Sequence, residues 1–400
     1  MKKIAALLLC TILCLLLSAC WSKKELNEIA IVVALGIDQV DDEYEITVQV
    51  VNPGEISSKQ PTSGRSPVTS YSATGSTLYE AIRKVTLESP RKSYFAHLQM
   101  VILGKELVTK DIRPVLDFLS RDHEFRNDFN IIVAHEDTAK DIVSVLTPIE
   151  KIPANKITSS LKTSEKAWGS TVTMTMNDLI TFLHDGNNNL VLSTITLLGN
   201  KQIGKTQANV DQITISAILQ YSGLAVIKNG KMIGILTEEQ SKSYNFLMNN
   251  IKSTVEIVAC PEEGNLATEI TATKTTIKGT IENDVPSFDI KVNVEQNVGE
   301  VKCRIDLQTK QTMDYINHET SVTLAKKIED TLHTLQQTYD ADVVHFGQVL
   351  HRQEPKKWRK IKEQWPTLFQ NAKVTVNVKV DTITPGTIQN STFYPIKESK

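Results

Sequence analysis

The only long apolar run in this 400-residue chain stands at its very beginning, and it is too short to span a bilayer. After Met1-Lys2-Lys3, residues 4–17 form an apolar run with Thr11 as its one polar side chain, and it ends in Leu17-Ser18-Ala19-Cys20. A basic start, a short apolar stretch and small residues before a cysteine have the form of a bacterial lipoprotein leader. Small side chains at 18 and 19 suit a narrow peptidase site, and the Cys20 thiol is the atom a diacylglyceryl transferase alkylates. Residues 1–19 are therefore expected to be a signal peptide, with Cys20 as the lipidation site. Two acyl chains on Cys20 anchor far more durably than one. No later apolar run approaches the roughly 18 residues of a membrane helix, so the rest must build its core from patterned segments.

Composition agrees with an ordinary folded body. Hydrophobic side chains make up 40% of the chain, which feeds two or three cores, and 22% is charged at a formal net charge of −2. That balance excludes disorder and a nucleic-acid-sized basic field. Aromatics at 6% argue against a stacking surface for bases or sugars.

The pattern predicts an α+β chain of three domains, each a mixed or antiparallel sheet flanked by helices. Strand–helix alternation places an N-terminal α/β domain at 20–167, with a hairpin over 30–51 and helices opening at Thr77 and Asp111. A middle domain at 168–252 has a helix near 176–184, strands at 190–199 and 211–219, and a tight turn at Asn229-Gly230. Thr237-Glu-Glu-Gln240 has capping-box spacing. A C-terminal α+β domain at 253–400 opens with alternating segments at 253–260, 266–280, 287–296 and 300–308. Leu324, Ile328, Leu332, Leu335 and Tyr339 then mark one side of a long helix, and 356–365 reads as a shorter one.

The search for reaction chemistry returns little. His123-Glu124 lacks the second histidine of a zinc helix, and there is no P-loop, no G-x-G-x-x-G and no G-x-S-x-G. The S-x-x-K pairs at Ser89–Lys92 and Ser159–Lys162 have no K-T-G partner. The histidines form no ligand cluster, so no catalytic residue, metal site or cofactor is assigned. Cys260 and Cys303 both survive removal of the leader; an export route permits a disulfide between them, and two separate buried thiols are the alternative. Two charged segments remain as docking surfaces or solvated structural faces. One is Arg121-Asp122-His-Glu124-Phe-Arg126; the other is the basic run holding Lys356, Lys357 and Arg359, with Trp358 and Trp365 turned inward.

Several segments together resemble one family. Cys20-Trp-Ser-Lys-Lys-Glu-Leu-Asn-Glu-Ile-Ala-Ile-Val-Val-Ala-Leu-Gly-Ile-Asp38, the block from Ala96 to Glu106, and the stretch from Asp111 to Arg126 follow in order. Near the C-terminus come Tyr339-Asp-Ala-Asp-Val-Val-His-Phe-Gly347 and Pro355-Lys-Lys-Trp358…Trp365. These are similar to the motifs of the Ger(x)C lipoproteins of spore nutrient-germinant receptors. Ser22 departs from the aspartate expected of that family. The resemblance implies three sheet-and-helix domains and a non-enzymatic C subunit held by Cys20 at the outer face of the spore inner membrane. It further implies partners in integral-membrane A and B subunits. An extracytoplasmic solute-binding lipoprotein is the competing reading, and an envelope hydrolase has only the leader behind it.

Overall fold

A computed structural model describes residues 3–4, 27–56, 64–184 and 189–384 of the chain. It contains an α+β arrangement with two sheets.

The larger sheet begins with β1 (Ile29–Val40) and β2 (Glu43–Val51), an antiparallel hairpin, followed by β3 (Val68–Gly75) on the outer side of β2. Helix α1 (Leu78–Lys84) crosses back; its N-cap Thr77 accepts the Glu80 N–H, as the spacing requires. The short β4 (Lys92–Tyr94) pairs with the start of β1, and β5 (Met100–Leu103) pairs with its second half, both parallel. Helices α2 (Lys105–Lys110) and α3 (Arg113–Arg121) lead to β6 (Asn130–Ala134), again parallel to β5. Strands β5 and β6 are buried along their whole length, which is why they read as unbroken apolar runs.

After α4 (Ala139–Val143), α5 (Pro153–Ala167) and α6 (Met176–His184) the same sheet resumes. Strand β7 (Asn189–Gly199) lies parallel to β6 through Val133↔Thr194 and Ala134↔Ile195, and β8 (Ala217–Lys228) and β9 (Lys231–Leu236) extend it antiparallel. The strands expected in an N-terminal and a middle domain thus lie in one nine-stranded sheet. The β6–β7 ladder has only two paired positions, and a parallel contact between distant segments leaves no turn signal in the sequence. The strand expected at 211–219 starts only at Ala217. Upstream, Asn209 uses its amide to hold the Leu146 and Ala217 carbonyls and accepts the Ala217 N–H, so Asp211 to Ser216 run as a loop. The Asn229-Gly230 turn has φ of 52° and 82°, the positive pair that a type I′ turn needs.

Helix α7 (Glu238–Leu247) opens with the capping box read from Thr237 and Gln240. The second sheet follows: β10 (Thr254–Ala259), β11 (Asn265–Glu282), β12 (Val285–Val301) and, after a helical crossover, β13 (Lys373–Thr384) parallel to β12. Asn283 and Asp284 turn the long β11–β12 hairpin at φ of 50° and 64°. The segment expected as a strand at 300–308 leaves the sheet after Val301, drawn aside by a Cys260–Cys303 disulfide over a small apolar cluster with Leu307 and Ile316.

The crossover is α8 (Lys310–His333), α9 (Phe346–Gln353), α10 (Pro355–Ile361) and α11 (Trp365–Asn371). Leu324, Ile328, Leu332 and Leu335 are buried as the helical spacing predicts. The single helix expected over 356–365 ends at Ile361; a 3-10 turn at Lys362–Gln364 follows, and Trp365, itself helical, opens a new helix in which Pro366 takes a first-turn position, having no N–H to donate back to the preceding turn. One apolar cluster runs from the large sheet through α7 to α8 and the small sheet. Lys327 on α8 bridges Glu239 of α7 at 2.9 Å and the buried Glu256 of β10 at 2.8 Å across that junction.

Candidate functional site

The motif residues that drew attention in the sequence converge on two buried carboxylates, each at the start of a helix. Asp38, at the end of the first motif, is buried on β1. Its Oδ1 accepts the Ala139 N–H at 2.8 Å and its Oδ2 the Lys140 N–H at 2.9 Å, so it closes the first turn of α4 from a neighbouring element. Burial pushes its carboxyl above the usual carboxylate range, while those two donors pull it back down. Gly104, from the second motif, is required here: a Cβ at that position would sit on Asp38 Oδ1. Two segments far apart in sequence are thus one joint.

The C-terminal motifs form the second joint. Asp342 accepts the Phe346 N–H and the Gly347 N–H, both at 2.8 Å, and the Trp365 indole Nε1–H at 3.0 Å. Burial raises its carboxyl from the ordinary value against these donors and the His345 N–H. Gly347 leaves room for the two tryptophans, since its Cβ would lie 2.9 Å from Trp365 Nε1 and 3.0 Å from the Trp358 ring. The rings themselves meet edge to face at 5.2 Å. His345 has left-handed backbone, φ 61°, and stacks on Phe182 of α6 at 5.1 Å. Burial, with Arg352 nearby, pushes its imidazole down to about 4, so it is neutral at neutral pH. Tyr339 donates its hydroxyl to the Ile235 carbonyl at 3.0 Å, and Lys228 pairs with Asp340 at 2.7 Å. Between these contacts lies a cleft of about 370 Å³ walled by Asn189, Lys228, Asp340, His351, Trp358 and Trp365.

The family resemblance holds Tyr339, Asp342 and Gly347 in one motif, but that motif by itself assigns them no physical role and does not join them to the tryptophans. The signal available was their spacing, Asp to Phe-Gly, which suits a carboxylate capping the helix four residues on.

The expected docking residues are placed as follows. Arg121 pairs with Asp117 one turn earlier at 2.8 Å, Asp122 accepts the Glu124 N–H, Glu124 binds Lys92, and Arg126 pairs with Asp128 at 2.9 Å. Phe125 points inward, against Phe95 at 4.6 Å and near Phe118 and Phe129. This corner is a set of local ion pairs over an aromatic anchor. On α10, Lys356 and Arg359 are exposed, while Lys357 donates to the Ile281 carbonyl at 2.9 Å and to Glu354. The first segment ends α3 and continues as a loop, the second lies in α10, and no ion pair joins them among the described residues. Cys20 lies outside the described residues. Among the described residues no group of three or more His, Cys, Asp or Glu side chains is placed to hold a metal ion, and no helix is long and apolar enough to cross a membrane.

Comparison with known proteins defines the class. Residues 22–197 match the family described as the spore germination protein N-terminal domain, and residues 222–386 match the C-terminal family described as spore germination B3/GerAC like. The chain belongs to this spore germination family, the Ger(x)C group. Spore germination protein KC of Bacillus subtilis (strain 168) is 31% identical over 95% of this chain and 94% of that protein. Spore germination protein B3 of the same organism is 25% identical over 94% of this chain and 96% of its own length. The crystal structure of the GerBC protein superposes with a TM-score of 0.57 at 20% identity, covering 87% of this chain and 96% of that one, and so shares the fold.

Proposed function

We propose that the chain is the lipid-anchored C subunit of a spore germinant receptor and acts by docking on integral-membrane A and B subunits, without catalysing a reaction. The observation that carries this is the similarity to spore germination protein KC along 95% of the chain. The buried motif residues support it: they close helices and join the two sheets, which is what a rigid docking body requires. Acylation of Cys20 would hold the protein at the membrane surface, where the raised effective concentration lets modest contacts suffice. Such a subunit biases a receptor only through contacts that differ between its resting and open states. The test is replacement of Cys20 by Ala beside deletion of the gene, in spores lacking any second copy of the family. Loss of nutrient-triggered germination in both strains is expected; normal germination of the deletion strain refutes the assignment.

A second reading, capture of a small solute, has one observation in its favour, the cleft beside Trp358 and Trp365. Calorimetry with nutrient amino acids and sugars separates the two readings, because a saturable heat that disappears in Trp358→Ala supports capture.

A further inference from the structure

The last strand of a sheet carries unpaired N–H and C=O groups along its outer side, and proteins guard such strands against unwanted pairing. The two sheets here end in β3, β9, β10 and β13. On three of these, side chains take up main-chain groups of the strand. Tyr339 donates to the Ile235 carbonyl of β9 at 3.0 Å, and Tyr315 to the Ala259 carbonyl of β10 at 3.2 Å. On β13, Ser321 donates to the Val378 carbonyl at 2.6 Å and Asn317 accepts the Thr382 N–H at 3.0 Å, while Lys373, Lys379 and Asp381 add charge.

The outer side of β3 is left open. Its register on β2 continues into the bond from the Asn52 N–H to the Pro67 carbonyl, at 2.9 Å. By alternation Thr69, Tyr71, Ala73 and Gly75 therefore bond to β2, and Val68, Ser70, Ser72 and Thr74 turn their main-chain groups outward. Ser66 closes the first of these, donating its hydroxyl to the Val68 carbonyl at 2.7 Å and accepting the Val68 N–H at 3.4 Å. Among the described residues nothing takes up the N–H and C=O groups of Ser70, Ser72 and Thr74. From Ser66 to Tyr79 there is no charged residue, and β3 itself holds no proline, so the usual guards are missing.

The strand is complementary to itself. An antiparallel two-fold centred on Ser72 sets Ser70 against Thr74 of a second copy and Ser72 against its own counterpart. Outward groups then meet outward groups, and about six main-chain bonds form. Hydroxyls face one another on one side of the ladder, and on the other Tyr71 lies opposite Ala73, a large ring beside a small side chain. Charge selects the antiparallel sense. Near the Val68 end stand Arg65 and Arg91 with Glu55. The Gly75 end adjoins Asp41, Asp42 and Glu43, where β1 turns into β2, with Lys110 donating to the Asp41 carbonyl and Glu80 paired to Lys84. The two-fold lays the basic end of each copy beside the acidic end of the other, whereas parallel pairing puts like beside like.

We infer that β3 is the interface of a homodimer, in which the large sheets of two copies join along this strand into one continuous sheet. The inference goes beyond the receptor reading and does not depend on it, since main-chain pairing needs neither a lipid nor another subunit. One strand pair buries little surface, so the dimer is weak and forms at high local concentration.

The test uses the mature chain purified in detergent. Ser70→Cys and Thr74→Cys, both at exposed positions, are made in separate proteins, with Cys260 and Cys303 held in their disulfide. Facing residues of the ladder lie about 5.5 Å apart, within disulfide reach, whereas the same position in two copies is offset by about 13 Å along the strand. Under mild oxidation the mixture of the two proteins should therefore give crosslinked dimer at least about tenfold above either protein alone. A mixture that crosslinks no better than the single proteins overturns the interface. Amide exchange in the unsubstituted chain reads the same strand: protection of the peptide covering residues 68–75 should rise with protein concentration. Protection that does not change with concentration, or that appears only when spore-membrane extract is added, overturns the homodimer, the second result by assigning the strand to a different chain.

Discussion

Lowering the pH should loosen the C-terminal joint through His345. The imidazole is buried against Phe182, and burial first, Arg352 second, hold it down at about 4 instead of the ordinary 6.5. Because the folded value lies below the unfolded one, the unfolded chain binds the proton more readily. The stability from keeping this ring neutral is fully present above about pH 6.5 and is lost progressively as the pH falls towards 4. The gap between the two values corresponds to about 3 kcal/mol, a large part of the stability of any domain. Buried carboxylates titrate as well, Asp342 among them, so the contribution of His345 must be isolated by difference. His345→Asn is the suitable variant, since Asn tolerates the left-handed backbone that residue 345 adopts and does not titrate. Urea unfolding at a series of pH values between 7 and 4 gives the stability of both proteins. The variant should be less stable at pH 7, where a stacked ring has been lost, and its stability should decline less steeply, by about 3 kcal/mol over the interval. Parallel curves would refute the reasoning, because they would show that the proton on residue 345 costs the folded state nothing.

Three further outcomes follow from the joints and the disulfide. Gly104→Ala should displace the Asp38 carboxylate from the start of α4 and cost about 2–4 kcal/mol, measured by thermal or denaturant unfolding, whereas Gly54→Ala, with open space around it, should be nearly neutral. Asp342→Asn puts an amide donor where the carboxylate accepts from Phe346, Gly347 and Trp365, and should lower stability by about 1–3 kcal/mol with a changed tryptophan fluorescence. Replacing Cys260 and Cys303 together by Ser opens a crosslink over a sequence separation of 43, worth about 4 kcal/mol by loop entropy, and should lower the unfolding midpoint without abolishing the β11–β12 hairpin.

Local chemistry was readable in the sequence where a few neighbouring residues decide it. Thr237 with Gln240, Asn229 with Gly230, and the stripe from Leu324 to Leu335 each act within one turn or one helix face, and each is found where the pattern puts it. Long-range contacts were not readable in this way. The ladder of β6 with β7 has two paired positions between distant segments, and Asn209 delays the strand expected at 211–219 to Ala217 through bonds to Leu146 and Ala217. The candidate site shows the same division. The family motifs could be recognised as strings, yet their meaning is a carboxylate meeting another segment's backbone: Asp38 with Ala139 and Lys140, and Asp342 with Trp365. The Arg121–Arg126 run stood out for its charge, and in the fold its anchor is the uncharged Phe125.

The parallel pairing of β13 on β12 sets an order of assembly. Val292 faces Val378 across that ladder, so the small sheet closes only when the last described strand has been made. Until then β12 presents a bare edge of hydrogen-bonding groups, and the apolar undersides of α8 and α11 lack one of their supports. A chain emerging from a ribosome therefore holds its C-terminal third incomplete for the whole length of the helical crossover. The final strand works as a latch, which makes this third the part of the molecule most exposed to proteases and holding chaperones before folding ends, and makes a stop codon just before Lys373 far more damaging than the number of residues it removes would suggest.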